Sequence, residues 1–214
     1  MNTLQRLLVC VVYVCAGAVA SAQDICVIPT PKSLTIEEGW YTMTPPIRVD
    51  VGDSSLAPIA EYLSTYIAVD EDKNRCDLKL SIDSELSVDE YRLTADDSGV
   101  SIIGGDYGGV FNGVATFFQL LPAEVYSKSG IASVDIPYCT IEDAPRYAHR
   151  GFMLDVCRTW MDKRAVMEYI DLLAYHKINV LRLHLTDDEA WRIEIKSHPE
   201  LAEIGGFRGS NSPI

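Results

Sequence analysis

Residues 149–208 constrain the fold more than any other part of the sequence, because they read as strand, helix and strand. Residues 151–156 are almost continuously apolar, which is typical of a strand covered on both faces in a parallel sheet. Asp162 can cap a helix in which Val166, Ile170, Leu173 and Lys177 recur at helical spacing. Residues 178–186 form a second apolar strand. A crossover of this length joins parallel strands, so the pattern predicts a right-handed parallel βαβ unit.

Polar residues follow both predicted strands. Arg158 comes after the first strand, and Asp187 and Asp188 come after the second. The carboxyl ends of parallel strands carry loops that converge on one opening, so this placement predicts a functional site. A structural interpretation stands beside it, in which Arg158 pairs with Asp155 and Asp187 caps the following turn. Position alone leaves both interpretations open.

Two motifs within this unit carry a family resemblance. The segments PRYAHRGFMLDVCR and KINVLRLHLTDDEAWRIEIKSHPELAEIGGFRG resemble the start of the catalytic domain of family 20 glycoside hydrolases, the β-N-acetylhexosaminidases. The family pattern is R-G-x-x-L-D-V-S-R, a helix, and then H-x-H-L-T-D-D-Q-x-W-R-I-E-I. The sequence departs from it at Cys157 for Ser, at residues 159–161 for His-Phe-Phe, at Arg182 for His and at Glu189 for Gln. The Arg and the first Asp of the pattern are retained.

The resemblance implies a reaction and two site residues. In this family the 2-acetamido oxygen of the substrate attacks the anomeric carbon, a Glu protonates the leaving oxygen, and the configuration is retained without metal or organic cofactor. Arg158 matches the family Arg that holds the 3- and 4-hydroxyls of the terminal sugar, a task that suits a charged fork of fixed donors. Asp187 matches the Asp that orients a downstream His, which contacts the catalytic Glu.

Three other residues near this opening have weaker support. Strand alternation places His184 and Asp188 on one face and Asp187 on the other, which makes Asp188 the second candidate for the catalytic carboxylate. Asp187 is preferred because alternation lapses once the strand ends. His184 and Asp187 have the spacing of a metal pair, but two ligands do not make a site, and the sequence predicts no metal centre. Trp191 could stack on a sugar, although burial beneath its loop is the favoured interpretation.

The first 22 residues have the pattern of a signal peptide. Arg6 precedes an apolar run over residues 7–20, and Ala20-Ser21-Ala22 is a small-x-small cleavage motif. The run is too short to span a bilayer, so no membrane association is expected after cleavage. The pattern predicts export to the periplasm or secretion.

The charge and the cysteines limit the partners. The net charge of −13 disfavours nucleic acid and anionic membrane surfaces and suits neutral partners such as N-acetylhexosamine-containing glycans. The sequence does not define an oligomeric state. Beyond residue 22 the cysteines are Cys26, Cys76, Cys139 and Cys157, which contain no C-x-x-C and so predict no zinc cluster. Export permits disulfides, and all three pairings remain open.

Residues 23–145 predict a separate α+β domain that resembles the N-terminal supporting domain of the same family. It contains short strands, helices over 55–69 and 107–121, and a hairpin whose turn is 96–99. The glycines within 104–109 lack the spacing of a phosphate loop and predict a tight strand-to-helix turn. The Asp89-Glu90 pair is expected to be a solvated pair on the surface.

The length of the last part defines the expected fold class. A (β/α)8 barrel needs about 250 residues, whereas 146–214 supply two strands and one helix. We therefore expect an α+β N-terminal domain followed by the first strands of an incomplete (β/α)8 TIM barrel. The downstream His and the Asp-Glu acid pair would lie past Ile214, so this chain is expected to be inactive alone. A non-catalytic glycan-binding or interaction module is the alternative.

Overall fold

The computed structural model describes residues 25–70, 76–126, 132–208 and 212–213, and side chains as far as residue 207. The predicted signal peptide, residues 1–22, lies outside the described residues. None of the helices in these ranges is both long enough and apolar enough to cross a membrane.

The described residues between 25 and 143 form one sheet with helices packed against it. Its elements in chain order are β1 (Ser33–Met43), β2 (Ile47–Val51), α1 (Ala57–Ser64), β3 (Val69–Asp70), β4 (Leu78–Ile82), β5 (Tyr91–Asp96), β6 (Gly99–Gly104), α2 (Tyr107–Leu120) and β7 (Val134–Asp143). Short 3-10 turns cover Ser54–Leu56 and Ala123–Tyr126. The sheet has seven strands in the order β1-β7-β5-β6-β4-β2-β3. It is mixed, because β5 pairs antiparallel with β6 and β7 whereas β4 pairs parallel with β2 and β6.

Local sequence explains the main elements of this sheet domain. The β5–β6 hairpin closes at the predicted turn, and Gly99 there has φ +132, which an L side chain rarely adopts. The glycine-rich segment is the predicted strand-to-helix turn, since β6 ends at Gly104 and α2 begins at Tyr107. Asp106 caps α2 by accepting a hydrogen bond of 2.8 Å from the Gly109 N–H. The predicted turn of the hairpin and the predicted strand-to-helix turn are confirmed.

The core of the sheet domain lies between α1, α2 and the sheet. Along β5 the side chains alternate between buried and more exposed, so that Tyr91, Leu93 and Ala95 face the core. Helix α2 packs on β5 and β6, and its face with Val114 and Phe117 is fully buried. At one end of this layer Tyr91, the first residue of β5, pairs with Asp143, the last residue of β7.

The rest of the described chain forms the predicted βαβ unit. Its elements are β8 (Gly151–Asp155), α3 (Lys163–Tyr175), β9 (Val180–His184), the short helix α4 (Glu200–Glu203), and the two-residue strands β10 (Phe207–Arg208) and β11 (Ser212–Pro213). Strands β8 and β9 pair in parallel, from Gly151 beside Val180 to Asp155 beside His184. Asp162 caps α3 as predicted, since its side chain accepts a hydrogen bond of 2.8 Å from the Ala165 N–H. The parallel unit is therefore confirmed.

Two expectations for this unit are wrong. Strand β8 is not covered on both faces, because β8 and β9 form a sheet of their own among the described residues, and Phe152 and Met153 are 39% and 53% exposed. Lys177 does not extend the apolar stripe of α3. The helix ends at Tyr175, and Lys177 follows with a left-handed φ of 60 that turns the chain toward β9.

Candidate functional site

The turn after β8 is organised by the Asp155 carboxylate. Its Oδ1 accepts hydrogen bonds of 3.0 Å from the backbone N–H groups of both Cys157 and Arg158. Its Oδ2 lies 2.6 Å from Nη1 of Arg158. Hydrogen bonds donated by the backbone and the side chain of Arg158 hold the pKa of Asp155 below its usual range. The last residue of β8 therefore fixes both the backbone and the guanidinium of Arg158.

The turn after β9 brings a second carboxylate to the same guanidinium. Oδ2 of Asp187 accepts a hydrogen bond from Nη2 of Arg158 and lies 2.7 Å from Nε2 of His184. The Asp188 N–H donates to Oδ1 of Asp187 at 2.7 Å. Asp187 thus connects the loops after both parallel strands, and it does so because β8 and β9 end side by side.

The pKa values of the two adjacent carboxyl groups in this turn are shifted in opposite directions. Hydrogen bonds from Asp188, in the first place, and from His184 hold the pKa of Asp187 far below its usual range. The pKa of Asp188 is raised, because its carboxyl hydrogen-bonds to Asp187 and lies beside that negative charge. Asp187 is therefore the ionised partner of Arg158, and Asp188 is the weaker acid.

Arg158 lies between the two carboxylates and remains accessible. Its side chain is 48% exposed, and Nη1 and Nη2 each contact a different aspartate. The hydrogen bond to Asp155, together with the charges of both aspartates, raises the pKa of Arg158, so the guanidinium stays charged. Arg158 is therefore paired with Asp155, as the structural interpretation predicted, and is also accessible to solvent.

The predicted site residues do not all join this cluster. Arg158, Asp187, Asp188 and His184 form one hydrogen-bonded group, in which His184 is partly buried and Asp188 is exposed. Trp191 is partly buried, and its indole N–H donates to the Ile193 carbonyl at 2.6 Å within its own loop. His184 and Asp187 are joined by a direct hydrogen bond, and no group of three His, Cys, Asp or Glu side chains in the described ranges could hold a metal ion.

A further arginine ties the two site loops together and was not predicted. Arg192 donates from Nη1 to the Gly206 carbonyl at 2.5 Å and from Nη2 to the Cys157 carbonyl at 3.0 Å. Its guanidinium lies 5.4 Å from the ring centroid of Trp160. The buried thiol of Cys157 lies 2.8 Å from the Ala190 carbonyl, which adds a second link between the loops. No spacing rule signals these contacts, because their acceptors are carbonyl groups distant in sequence.

The cysteines described by the structure are all free thiols. Cys26 is exposed, Cys76 is partly buried, and Cys139 and Cys157 are buried. None of the three pairings left open by the sequence is formed among them. Burial raises the pKa of Cys139 to about 11, which leaves that thiol protonated and inert at neutral pH.

Comparison with family models places this architecture among the glycoside hydrolases. The model for Glycosyl hydrolase family 20, domain 2, matches residues 24–144, and the model for Glycosyl hydrolase family 20, catalytic domain, matches residues 147–213. The chain therefore belongs to glycosyl hydrolase family 20 and corresponds to the N-terminal part of its members.

Individual relatives agree with this membership. The chain is 38% identical over 199 residues to a beta-hexosaminidase of Porphyromonas gingivalis, covering 87% of this chain and 26% of the relative. It is 32% identical over 203 residues to the N,N'-diacetylchitobiase of Vibrio harveyi, covering 88% of this chain and 22% of the relative. The chain thus spans about a quarter of the length of these relatives.

Solved structures show the same similarity in three dimensions. The N-acetyl-beta-hexosaminidase of Streptomyces plicatus in complex with Thio-NAglucal superposes with a TM-score of 0.79 at 34% identity, covering 87% of this chain and 40% of that chain. A Vibrio harveyi exo beta-N-acetylglucosaminidase in complex with N-acetylglucosamine superposes with a TM-score of 0.75 at 28% identity, covering 84% and 28% respectively.

Proposed function

We propose that this chain is the N-terminal part of an exo-β-N-acetylhexosaminidase that releases terminal N-acetylhexosamine from glycans. In this proposal residues 1–22 export the protein, 23–145 form the supporting domain, and 146–214 begin a (β/α)8 catalytic domain. One observation carries it: Arg158 is held between Asp155 and Asp187 where the parallel strands β8 and β9 end. The names of the relatives, and the sugar complexes of the Vibrio and Streptomyces enzymes, support the substrate class.

The geometry of Arg158 suits the recognition of two neighbouring hydroxyl groups. A guanidinium has five N–H donors in one plane, and the two aspartates engage only one nitrogen position each. The remaining N–H donors of Arg158 lie in the guanidinium plane, and Asp155 and Asp187 fix the orientation of that plane from either side. Because the side chain is held before the sugar arrives, binding costs less rotamer entropy than it would for a free arginine.

Asp187 is proposed to orient the acid machinery rather than to attack the sugar. It is ionised and already accepts a hydrogen bond at Oδ2, so it can hold an imidazole in one tautomer and orientation. In the proposed substrate-assisted reaction the acetamido oxygen of the substrate is the nucleophile, and the acid is a Glu beyond the present chain. This reaction needs no metal and no organic cofactor.

Hydrolysis of an aryl N-acetyl-β-glucosaminide tests the proposal on two proteins, residues 23–214 alone and the product of the whole gene. We expect no turnover by residues 23–214 and measurable turnover by the whole product. Arg158→Ala in the whole product should lower kcat/KM by roughly a hundredfold or more, since a charged hydrogen bond to substrate is lost. Arg164→Ala is the matched control, because Arg164 is an exposed arginine on α3, 86% exposed.

The outcomes separate the two candidate roles of the chain. Near-normal kinetics for Arg158→Ala would remove Arg158 from the site. Turnover by residues 23–214 would show that the general acid lies within these residues. Binding of chitobiose by the whole product without any turnover would favour the non-catalytic glycan-binding module over the hydrolase.

A further inference from the structure

Two basic residues lie at the amino ends of β8 and β9, opposite to the ends that carry Arg158 and Asp187. Arg150 immediately precedes β8, and Lys177 lies in the turn before β9. Each is paired with a carboxylate from the sheet domain. Both Nη1 and Nη2 of Arg150 lie 3.2 Å from Oδ2 of Asp89, and Nζ of Lys177 lies 3.2 Å from Oδ2 of Asp143. The two amino ends are therefore each bonded to a separate point on the sheet domain.

Lys177 is inserted deeply into the sheet domain. It is only 7% exposed, and its Nζ donates a hydrogen bond of 2.8 Å to the hydroxyl of Tyr91. That hydroxyl is 2.6 Å from Oγ1 of Thr116 on α2, so the network continues into the core. Removing an ammonium group from water is costly, and only close polar partners offset that cost. The insertion is therefore a specific contact, and it depends on Asp143.

Arg150 extends the same network to the backbone around β9. Its Nε donates to the Lys177 carbonyl at 2.7 Å. Its own backbone N–H donates to Oδ1 of Asn179 at 3.0 Å, and its carbonyl accepts from the Asn179 N–H at 3.0 Å. Asp89, which holds the guanidinium, has a left-handed φ of 62. Arg150 thus joins the sheet domain, the turn before β9 and the start of β8.

The junction at this point is not filled by apolar packing. A cleft of about 680 Å³ lies between the sheet domain and the βαβ unit, and its lining includes Asp89, Asp143, Arg150 and Lys177. Where apolar contact is incomplete, directional ion pairs and hydrogen bonds fix the relative position of two surfaces. The polar network supplies this alignment at the amino ends of β8 and β9, while α3 also contacts α2 and places Tyr175 against Tyr126.

We propose that Asp89 and Asp143 form a docking surface by which the sheet domain holds the amino ends of β8 and β9 through Arg150 and Lys177. The inference goes beyond the proposed glycosidase function, since it concerns how the two parts of the chain are coupled. Because Arg158 and Asp187 follow the other ends of the same strands, this docking also positions the candidate site. The pairing of Gly151 with Val180 at the held ends continues to the far ends of β8 and β9.

Hydrogen exchange on residues 23–214, resolved by peptide, tests this docking. In Lys177→Met we expect the peptides that contain β8 and β9 to lose protection by about tenfold or more, because Asp143 then keeps a largely buried charge without its cationic partner. Peptides from β2 and α1, across the sheet, should keep theirs. Lys163→Met is the matched control, since Lys163 is exposed at the start of α3.

A mutant cycle makes the test specific for the pair. Asp143→Asn should release β8 and β9 as Lys177→Met does, and the double variant should lose less protection than the two single effects combined, by about tenfold. Tyr91→Phe, which keeps the ring and removes only the hydroxyl, should cause a smaller loss confined to the same peptides.

Three results would overturn the proposal. One is protection in Lys177→Met that equals protection in Lys163→Met. The second is strictly additive losses in the cycle. The third is an equal loss in all peptides, which would make the network part of general stability rather than of docking; if Lys177→Met does not fold, Tyr91→Phe decides between these outcomes.

Discussion

Replacement of Gly113 by Ala has two effects on stability, helix propensity and core packing, and they act in opposite directions. A glycine inside a helix costs about 0.5 to 1 kcal/mol relative to alanine, so helix propensity alone predicts that Gly113→Ala stabilises α2. The packing predicts the reverse. A Cβ at position 113 would lie 2.4 Å from Cγ2 of Ile102 and 3.2 Å from Cδ2 of Tyr91. These neighbours are 0% and 1% exposed, so neither can move toward solvent.

The expected size follows from the difference between these effects. Overpacking a tight core by one methyl group typically costs about 1 to 3 kcal/mol, and part of this is offset by propensity. We expect Gly113→Ala to lower the free energy of unfolding by about 1 to 2 kcal/mol. With an m-value of about 1 to 2 kcal/mol per molar urea, the midpoint should fall by roughly 1 M.

Equilibrium unfolding in urea, measured with and without Ile102→Ala, checks the cause. In the Ile102→Ala background the clashing methyl is absent, so Gly113→Ala should become neutral or stabilising. This change of sign is the diagnostic result. An unchanged or raised midpoint for Gly113→Ala alone, or an equal loss in both backgrounds, would refute the packing argument.

Three further predictions concern buried or strongly paired groups. Asp77→Ala should lower the free energy of unfolding by about 2 to 4 kcal/mol in urea titrations, because this 2% exposed carboxylate accepts hydrogen bonds from β1 and β2. Since the folded-state pKa values of Asp155 and Asp187 are lowered from 3.8, their contribution to stability is present above that pH and lost below it. In thermal melts at decreasing pH, the melting temperature of Asp155→Asn should therefore fall less steeply than that of the unsubstituted protein. Burial raises the pKa of Tyr62 and Tyr126, so stability should fall as pH rises above 10, with their phenolate absorbance appearing only on unfolding.

The elements that the sequence predicted correctly are those whose signal is local. The cap at Asp162 acts three residues along the chain, and the β5–β6 turn is set by a single glycine. The parallel pairing of β8 and β9 follows from strand composition and from the length of the helix between them. Such features need no knowledge of distant partners.

The features that the sequence did not predict depend on partners far away in the chain. Asp89 was expected to be solvated, yet it is only 19% exposed and is paired with Arg150, 61 residues away. Lys177 was expected to extend a helix face, yet its ammonium group meets Asp143, 34 residues away. Charge and hydropathy at a single position cannot distinguish a solvated ion from one held at an interface, because both require the same residue type.

The choice between Asp187 and Asp188 shows where strand alternation stops being informative. Alternation predicts that Asp188 shares a face with His184, yet it is Asp187 that hydrogen-bonds to His184 and Arg158. The reason is that β9 ends at His184 and the chain then folds back, with Thr186 bridged to Trp191, which leaves the Asp187 carboxylate beside His184. Parity along a strand therefore holds only for residues that remain in the ladder.

The charge balance around Arg158 limits the kind of ligand that Arg158 can bind. Asp155 and Asp187 already compensate the guanidinium, and Asp188 adds a third carboxyl group beside it. An arginine compensated in this way has no net positive field with which to attract an anion, and the whole chain carries a net charge of −13. What it retains is a set of oriented N–H donors in a fixed plane. Oriented donors without net charge favour neutral hydroxyl groups over carboxylates or phosphates, which agrees with a neutral N-acetylated sugar as the proposed ligand.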